Sequence, residues 1–149
     1  MDAELVGRLR GVIAKLARKL NDTSTGEGLT PTQYSVLGLI RKRGPLGLAE
    51  LTELEGLNPT MVSRIVRRLD DDGLIRRLPD PSDLRAVRVE ITPAGALVHE
   101  RILTLRTSVL AGWLDLLPAD TLATLLAAVP AMEALAEAVK TPPKPADQG

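Results

Sequence analysis

The chain has 149 residues, 44% of them hydrophobic and 26% charged, and 19 Lys and Arg balance 19 Asp and Glu for a net charge of 0. That is the composition of a soluble globular protein, with room for one domain or for a small domain plus oligomerisation helices. There is no cysteine and one histidine, His99, which excludes disulfides, thiolate nucleophiles and thiol-based sensing and leaves no donor set for a Cys- or His-rich metal site.

Leu5, Leu9, Val12, Ile13, Leu16 and Leu20 recur at helical spacing, with Arg8, Lys15, Arg18 and Lys19 largely on other faces. An amphipathic first helix over residues 5–20 is therefore expected. Its mixed charges suit neither a signal peptide nor a span, and no uninterrupted apolar stretch approaches the roughly 20 residues that a span needs. A cytoplasmic protein with no membrane partner is the expectation. The run NDTSTGEG breaks the helix with turn-forming residues.

A second helix opens at TPTQ, where Thr30 fits an N-cap, Pro31 the first helical position and Gln33 the reciprocal member of a capping box. It carries Val36, Leu37, Leu39 and Ile40 and ends at RKRG, cations in the last turn and Gly44 beyond. Gly47 and Gly56 bound a shorter third helix. Asn58-Pro59 repeats the cap-then-proline start, and Val62, Ile65, Val66 and Leu69 form the buried stripe of a fourth helix that Gly73 terminates.

The hydrophobic period then switches from 3.6 to 2. Val87, Val89 and Ile91 alternate with Arg88 and Glu90, and LIRRL before them completes a two-stranded hairpin whose long tip is PDPSDLR. Thr92-Pro93 caps a helix running to about Leu117, and Pro118 begins the last one. Pro130 falls inside that helix, yet Leu122, Leu125, Val129, Met132, Ala136 and Val139 keep one phase across it, so one bent helix is expected. The closing TPPKPADQG has no core-forming residue and is expected to be disordered. The order predicts a mainly α (α+β) fold, a winged helix-turn-helix with helices at both ends.

Within LNPTMVSRIVRRL the fourth helix carries Arg64, Arg67 and Arg68 with no acid among them, and Asp70, Asp71 and Asp72 follow at once. As a plain solvated face, Arg67 would pair with Asp71 and Arg68 with Asp72. A base N-terminal to its acid is the poorer i,i+4 orientation, and acids at a helix C-terminus oppose its dipole, terms of about 0.3–1 kcal/mol each. As a DNA-reading face, the same periodicity turns Thr60, Ser63, Arg64 and Arg67 away from the buried stripe, on the turns that enter a major groove in a helix-turn-helix. Arg64 would then take guanine O6 and N7, and Thr60 and Ser63 phosphates or thymine methyls.

The run LTPTQYSVLGLI … LAELTELEGLNPTMVSRIVRRLDDDGLIRR … DPSDLRAVRVEITPAG resembles the multiple-antibiotic-resistance regulator (MarR) family over residues 30–95. Asp83, Arg85, Thr92 and Gly95 fill its wing motif. The resemblance implies a bacterial, dimeric, sequence-specific DNA-binding transcriptional regulator. Such proteins are usually repressors released by small phenolic, lipophilic or oxidising signals. On this likeness the DNA contacts are Asn58, Thr60, Met61, Ser63, Arg64, Arg67, Arg68 and, from the wing, Arg85. Asp83 would hold Arg85 and the wing tip in place. Leu84 stands where the family often has a base, so the tip carries one positive charge fewer. Over residues 41–91 ten Lys and Arg meet nine Asp and Glu, which predicts modest non-specific affinity.

The likeness also implies a division of the chain. Residues 1–29 form an N-terminal dimerisation helix and loop, 30–92 the winged helix-turn-helix, 93–140 the C-terminal dimerisation helices and 141–149 a disordered tail. The apolar stripes of the terminal helices exceed what a monomer of this size must bury, and a two-fold dimer implies a pseudo-palindromic operator in double-stranded DNA. Family effector pockets lie between the dimer helices and the DNA-binding lobe. The only aromatics, Tyr34 and Trp113, are the candidates to line one for a small lipophilic or aromatic effector, though packing is the weightier role for both. The absence of cysteine excludes the peroxide-sensing chemistry.

No cofactor or metal is expected. An enzyme would need a converging nucleophile and base, and a lone His99 with no Gly-rich phosphate loop supplies neither. The alternative function is a winged helix used for protein–protein contact without DNA binding, against which the arginines of the fourth helix speak.

Overall fold

The computed structural model describes residues 1–23 and 28–139. Three of its first four helices begin where a side chain or a proline settles the N–H groups that a helix start leaves unpaired. α1 spans Ala3–Asp22, with Asp2 accepting from the Glu4 N–H at 2.9 Å. α2 spans Pro31–Arg43 behind the expected capping box, in which Thr30 Oγ1 accepts from Gln33 N at 3.2 Å and Gln33 Oε1 from Thr30 N at 3.0 Å. α3 is Leu48–Glu55, and α4 is Pro59–Asp71 with Asn58 Oδ1 accepting from Met61 N at 2.8 Å. Between them Gly56 turns the chain at φ 64°, a left-handed conformation that a β-carbon disfavours.

Three strands follow the helices into one antiparallel sheet: β1 Leu46–Gly47, β2 Ile75–Pro79 and β3 Val87–Ile91, in the order β1-β3-β2. The expected two-stranded hairpin forms as β2 and β3, and β1 adds a third strand that was not expected. β1 is two residues long, Leu46 opposite Val89 and Gly47 opposite Arg88, too short for alternation to reveal. Arg88 reinforces it by donating from Nη2 to the Pro45 carbonyl at 2.6 Å.

α2, α3, α4 and the sheet enclose one core, in which Val36, Leu37, Ile40, Leu51, Val66, Leu69 and Val89 are fully buried. α5, Pro93–Leu114, adds Ile102. Its start explains the Thr-x-x-Gly spacing. The Thr92 hydroxyl donates to the Gly73 carbonyl at 2.6 Å and accepts from Gly95 N at 3.1 Å. A β-carbon on Gly95 would lie 2.0 Å from the Leu74 carbonyl oxygen, so only glycine lets α5 leave the sheet this closely.

The chain forms two compact units, Met1–Val109 and Leu110 onward. In the second, α5 stops at Leu114 rather than near Leu117, and α6 (Ala119–Ala127) and α7 (Val129–Ala138) follow. The single bent helix expected here is corrected to two, divided at Ala128. Pro130 has no N–H to bond back into the preceding turn and its ring crowds that turn. The Ala128 N–H is instead shared between the Thr124 and Leu125 carbonyls, at 3.2 and 3.1 Å.

No residue of α1, α6 or α7 is buried. Leu5, Leu9, Val12, Ile13 and Leu16 all stand exposed along α1. Residues 119–138 together are also long and apolar enough, by length and composition, to cross a membrane. Pro130, Asp120, Glu133 and Glu137 interrupt that run, so it is not an uninterrupted apolar stretch. The tail expected to be disordered, 141–149, lies outside the described residues.

Candidate nucleic-acid interface

The core decides which way α4 presents its charges. Val62, Ile65, Val66 and Leu69 are buried, so Thr60, Met61, Ser63, Arg64, Arg67 and Arg68 face outward, and all six are exposed. Asn58 is exposed as well, but its side-chain oxygen is engaged in capping the helix.

Seven arginines lie within residues 58–91, and the structure sorts them. Arg68 pairs with Asp72 at 3.0 Å, the i,i+4 contact of a plain solvated helix. Arg77 reaches back from β2 to Asp70 at 3.1 Å. Arg76 pairs with its cross-strand neighbour Glu90, and Arg88 is held by the Pro45 carbonyl. Arg64, Arg67 and Arg85 have no ion-pair or hydrogen-bond partner for their guanidinium groups among the described residues. The nearly balanced charge of this segment is therefore not evenly spread. Asp70, Asp72 and Glu90 are matched to Arg77, Arg68 and Arg76, and positive charge without an ion-pair partner among the described residues remains on α4 and the wing. A cleft of about 340 Å³ lies beside α4, lined by Thr60, Ser63, Arg64, Arg67 and Arg77 with Leu48 and Val66.

The wing tip is built on two carboxylates. Asp80 Oδ1 accepts from Ser82 N at 2.8 Å, Ser82 Oγ at 2.7 Å and Asp83 N at 3.3 Å. The Ser82 hydroxyl foremost, and then the backbone N–H groups, hold its carboxyl below the ordinary range. Asp83 Oδ1 accepts from the backbone N–H of Arg85 at 3.0 Å. Asp83 thus meets Arg85 through its backbone rather than through its guanidinium. Asp80 was not singled out from the sequence, although the Asp-Pro-Ser-Asp run is the signal of such a side-chain-capped turn.

Tyr34 is part of a packed cluster. Its ring stacks on His99 at 4.8 Å and 9°, and the Arg106 guanidinium lies 4.9 Å from its centroid. Arg41 Nη1 donates to His99 Nδ1 at 2.8 Å and pairs with Glu100 at 2.8 Å. An arginine can only donate, so His99 is neutral here with its proton on Nε2. Burial, and then the Arg41 charge, lower its pKa, with Glu100 opposing. Trp113 is half-buried and belongs to the second unit. No group of three or more His, Asp or Glu that could hold a metal occurs among the described residues.

A helix-turn-helix flanked by an antiparallel wing, with its uncompensated arginines on the second helix and the wing tip, defines a winged-helix DNA-binding protein. The MarR family model matches residues 29–87. The HTH-type transcriptional repressor MdtR of Bacillus subtilis is 28% identical over 136 residues, covering 91% of this chain and 86% of that protein. The multiple antibiotic resistance protein MarR of Salmonella typhimurium is 36% identical over 97 residues, 64% of this chain and 67% of that one. Among solved structures, a mutant of MarR from E. coli complexed with operator DNA superimposes with a TM-score of 0.65 at 28% identity, covering 87% of this chain and 94% of that one. The chain belongs to the MarR family and is a DNA-binding transcriptional regulator of that type.

Proposed function

We propose that the protein is a ligand-responsive repressor that binds a pseudo-palindromic operator as a homodimer, in the cytoplasm at the nucleoid. The observation that carries the DNA-reading part is the pair of uncompensated guanidinium groups, Arg64 and Arg67, on the exposed face of a capped, core-anchored α4. Arg64 reads a base edge, and Thr60, Met61, Ser63 and Arg67 complete the groove contacts. Arg85 extends from the wing to the adjacent minor groove or its phosphates. Arg68, tied to Asp72, contributes less. Repression is supported by what the relatives' names say of them, a transcriptional repressor and a regulator seen with operator DNA.

Residues 30–92 act as the reading lobe and residues 1–29 and 93–140 as the dimerisation segments. The exposed apolar faces of α1, α6 and α7 support that division, because a lone chain would leave them in water. A second copy, not a bilayer, is the cover we assign to them. A small lipophilic or aromatic effector releases the protein from DNA, and Tyr34 serves it by packing, since its ring is already engaged by His99 and Arg106. A protein-interaction module without DNA binding would present an apolar or acidic outer face on α4, and no observation favours it.

Charge reversal tests the reading. Arg64→Glu is expected to lower affinity for a retained genomic fragment at least 100-fold in a fluorescence-anisotropy titration, with the dimer intact by sedimentation. Unchanged affinity would remove α4 as the reader.

A further inference from the structure

Alternation along β2 sends adjacent arginines to opposite faces. Arg76 lies on one side with Glu90, which neutralises it, whereas Arg77 shares its face with buried Ile75 and Val89 and reaches α4. There it enters the cleft of about 340 Å³ together with Thr60, Ser63, Arg64 and Arg67. Three guanidinium groups and two hydroxyls thus converge on one concavity, and no carboxylate lines it. Asp70, from the last turn of α4, takes Arg77 at Nε, 3.1 Å away. That contact fixes the plane of the guanidinium and leaves its terminal amino groups for an outside acceptor. A planar fork of donors held in this way matches the paired oxygens of a phosphate.

We propose that this cleft seats a backbone phosphodiester of the bound duplex, with Arg77 as one of its ligands and Asp70 as the positioning residue that aims Arg77. The inference rests on the DNA-binding reading and adds to it a contact from the first wing strand, outside the recognition helix and the wing tip. A phosphate contact carries affinity but not sequence information, and it releases counterions.

The test is a salt titration, between about 50 and 200 mM, of the full-length protein on a short duplex of arbitrary sequence and on a retained genomic fragment. Arg77→Gln is expected to weaken both on the order of tenfold at low salt and to make the slope of log affinity against log salt shallower by about 1. Arg77→Lys, which keeps the charge and loses the fork, should weaken binding with the slope retained. Asp70→Ala removes a negative charge near DNA, so simple electrostatics predicts tighter binding; the positioning role predicts weaker binding, rescued by Asp70→Asn. Melting curves identify variants that fail to fold. An unchanged slope in Arg77→Gln, or tighter binding by Asp70→Ala, overturns the proposal while the DNA-binding reading stands. Wild-type protein that binds neither duplex overturns both.

Discussion

At the scale of single residues, His99 has the most exacting surroundings. Its Nδ1 accepts from Arg41, its ring stacks on Tyr34, and a β-carbon on Gly38 would lie 2.8 Å from its Nε2. A second proton would abolish the acceptor and place a cation against Arg41, with only Glu100 in compensation. The folded-state pKa therefore lies below the ordinary value of 6.5, and the unfolded chain takes up the proton first. The contribution of His99 to stability is full above about pH 6.5 and is lost as the pH falls through the window between that value and the lowered one. The slope from one group cannot exceed about 1.4 kcal/mol per pH unit, and solvent around the ring keeps it below that. Denaturant unfolding between about pH 5 and 7.5 should show the wild type losing stability toward acid faster than His99→Gln, which keeps an acceptor for Arg41 but does not titrate. Parallel profiles would mean that the ring is not coupled to Arg41 in solution.

At the scale of elements, much was legible because it rests on local chemistry. Thr30-Pro31-Thr32-Gln33 and Asn58-Pro59 name their helix starts through side-chain bonds to the next few N–H groups, and both caps form. The four-residue stripe of α4 names its buried face and so its exposed one. What was not legible depends on partners distant in sequence. Leu46–Gly47 becomes a strand only because Val89 and Arg88 lie alongside. The phase kept across Pro130 describes which side chains share a face, whereas the division at Ala128 is set by a missing N–H that phase does not register. Nor could sequence sort the arginines. That Arg77 turns back to Asp70 while Arg67 stands clear follows from strand register.

The unburied face of α1 carries a prediction at this scale. Leu9→Glu, in the middle of the exposed stripe, should shift the protein from dimer toward monomer in sedimentation velocity by at least tenfold in dissociation constant. Arg18→Glu, away from that stripe, should leave assembly unchanged. Equal behaviour of the two would remove α1 from the dimer interface.

For the whole molecule, a net charge of 0 would suggest indifference to nucleic acid if charge were evenly spread. Ion pairs instead engage Arg68 and Arg76 and hold Arg77 at its Nε, and Arg64, Arg67 and Arg85 are left without an ion-pair partner among the described residues. Weak, salt-sensitive binding to arbitrary DNA, with selectivity from a few placed groups, is the expected outcome. In a two-fold dimer those groups recur about one helical turn apart, roughly 34–36 Å along the duplex. The most direct measurement is capture of sheared genomic DNA by the purified protein at physiological salt, followed by sequencing of what is retained. A small set of fragments sharing an inverted repeat, with half-sites about 10 base pairs apart, is the result this account predicts. No enrichment, even at low salt where non-specific binding is strongest, would contradict it.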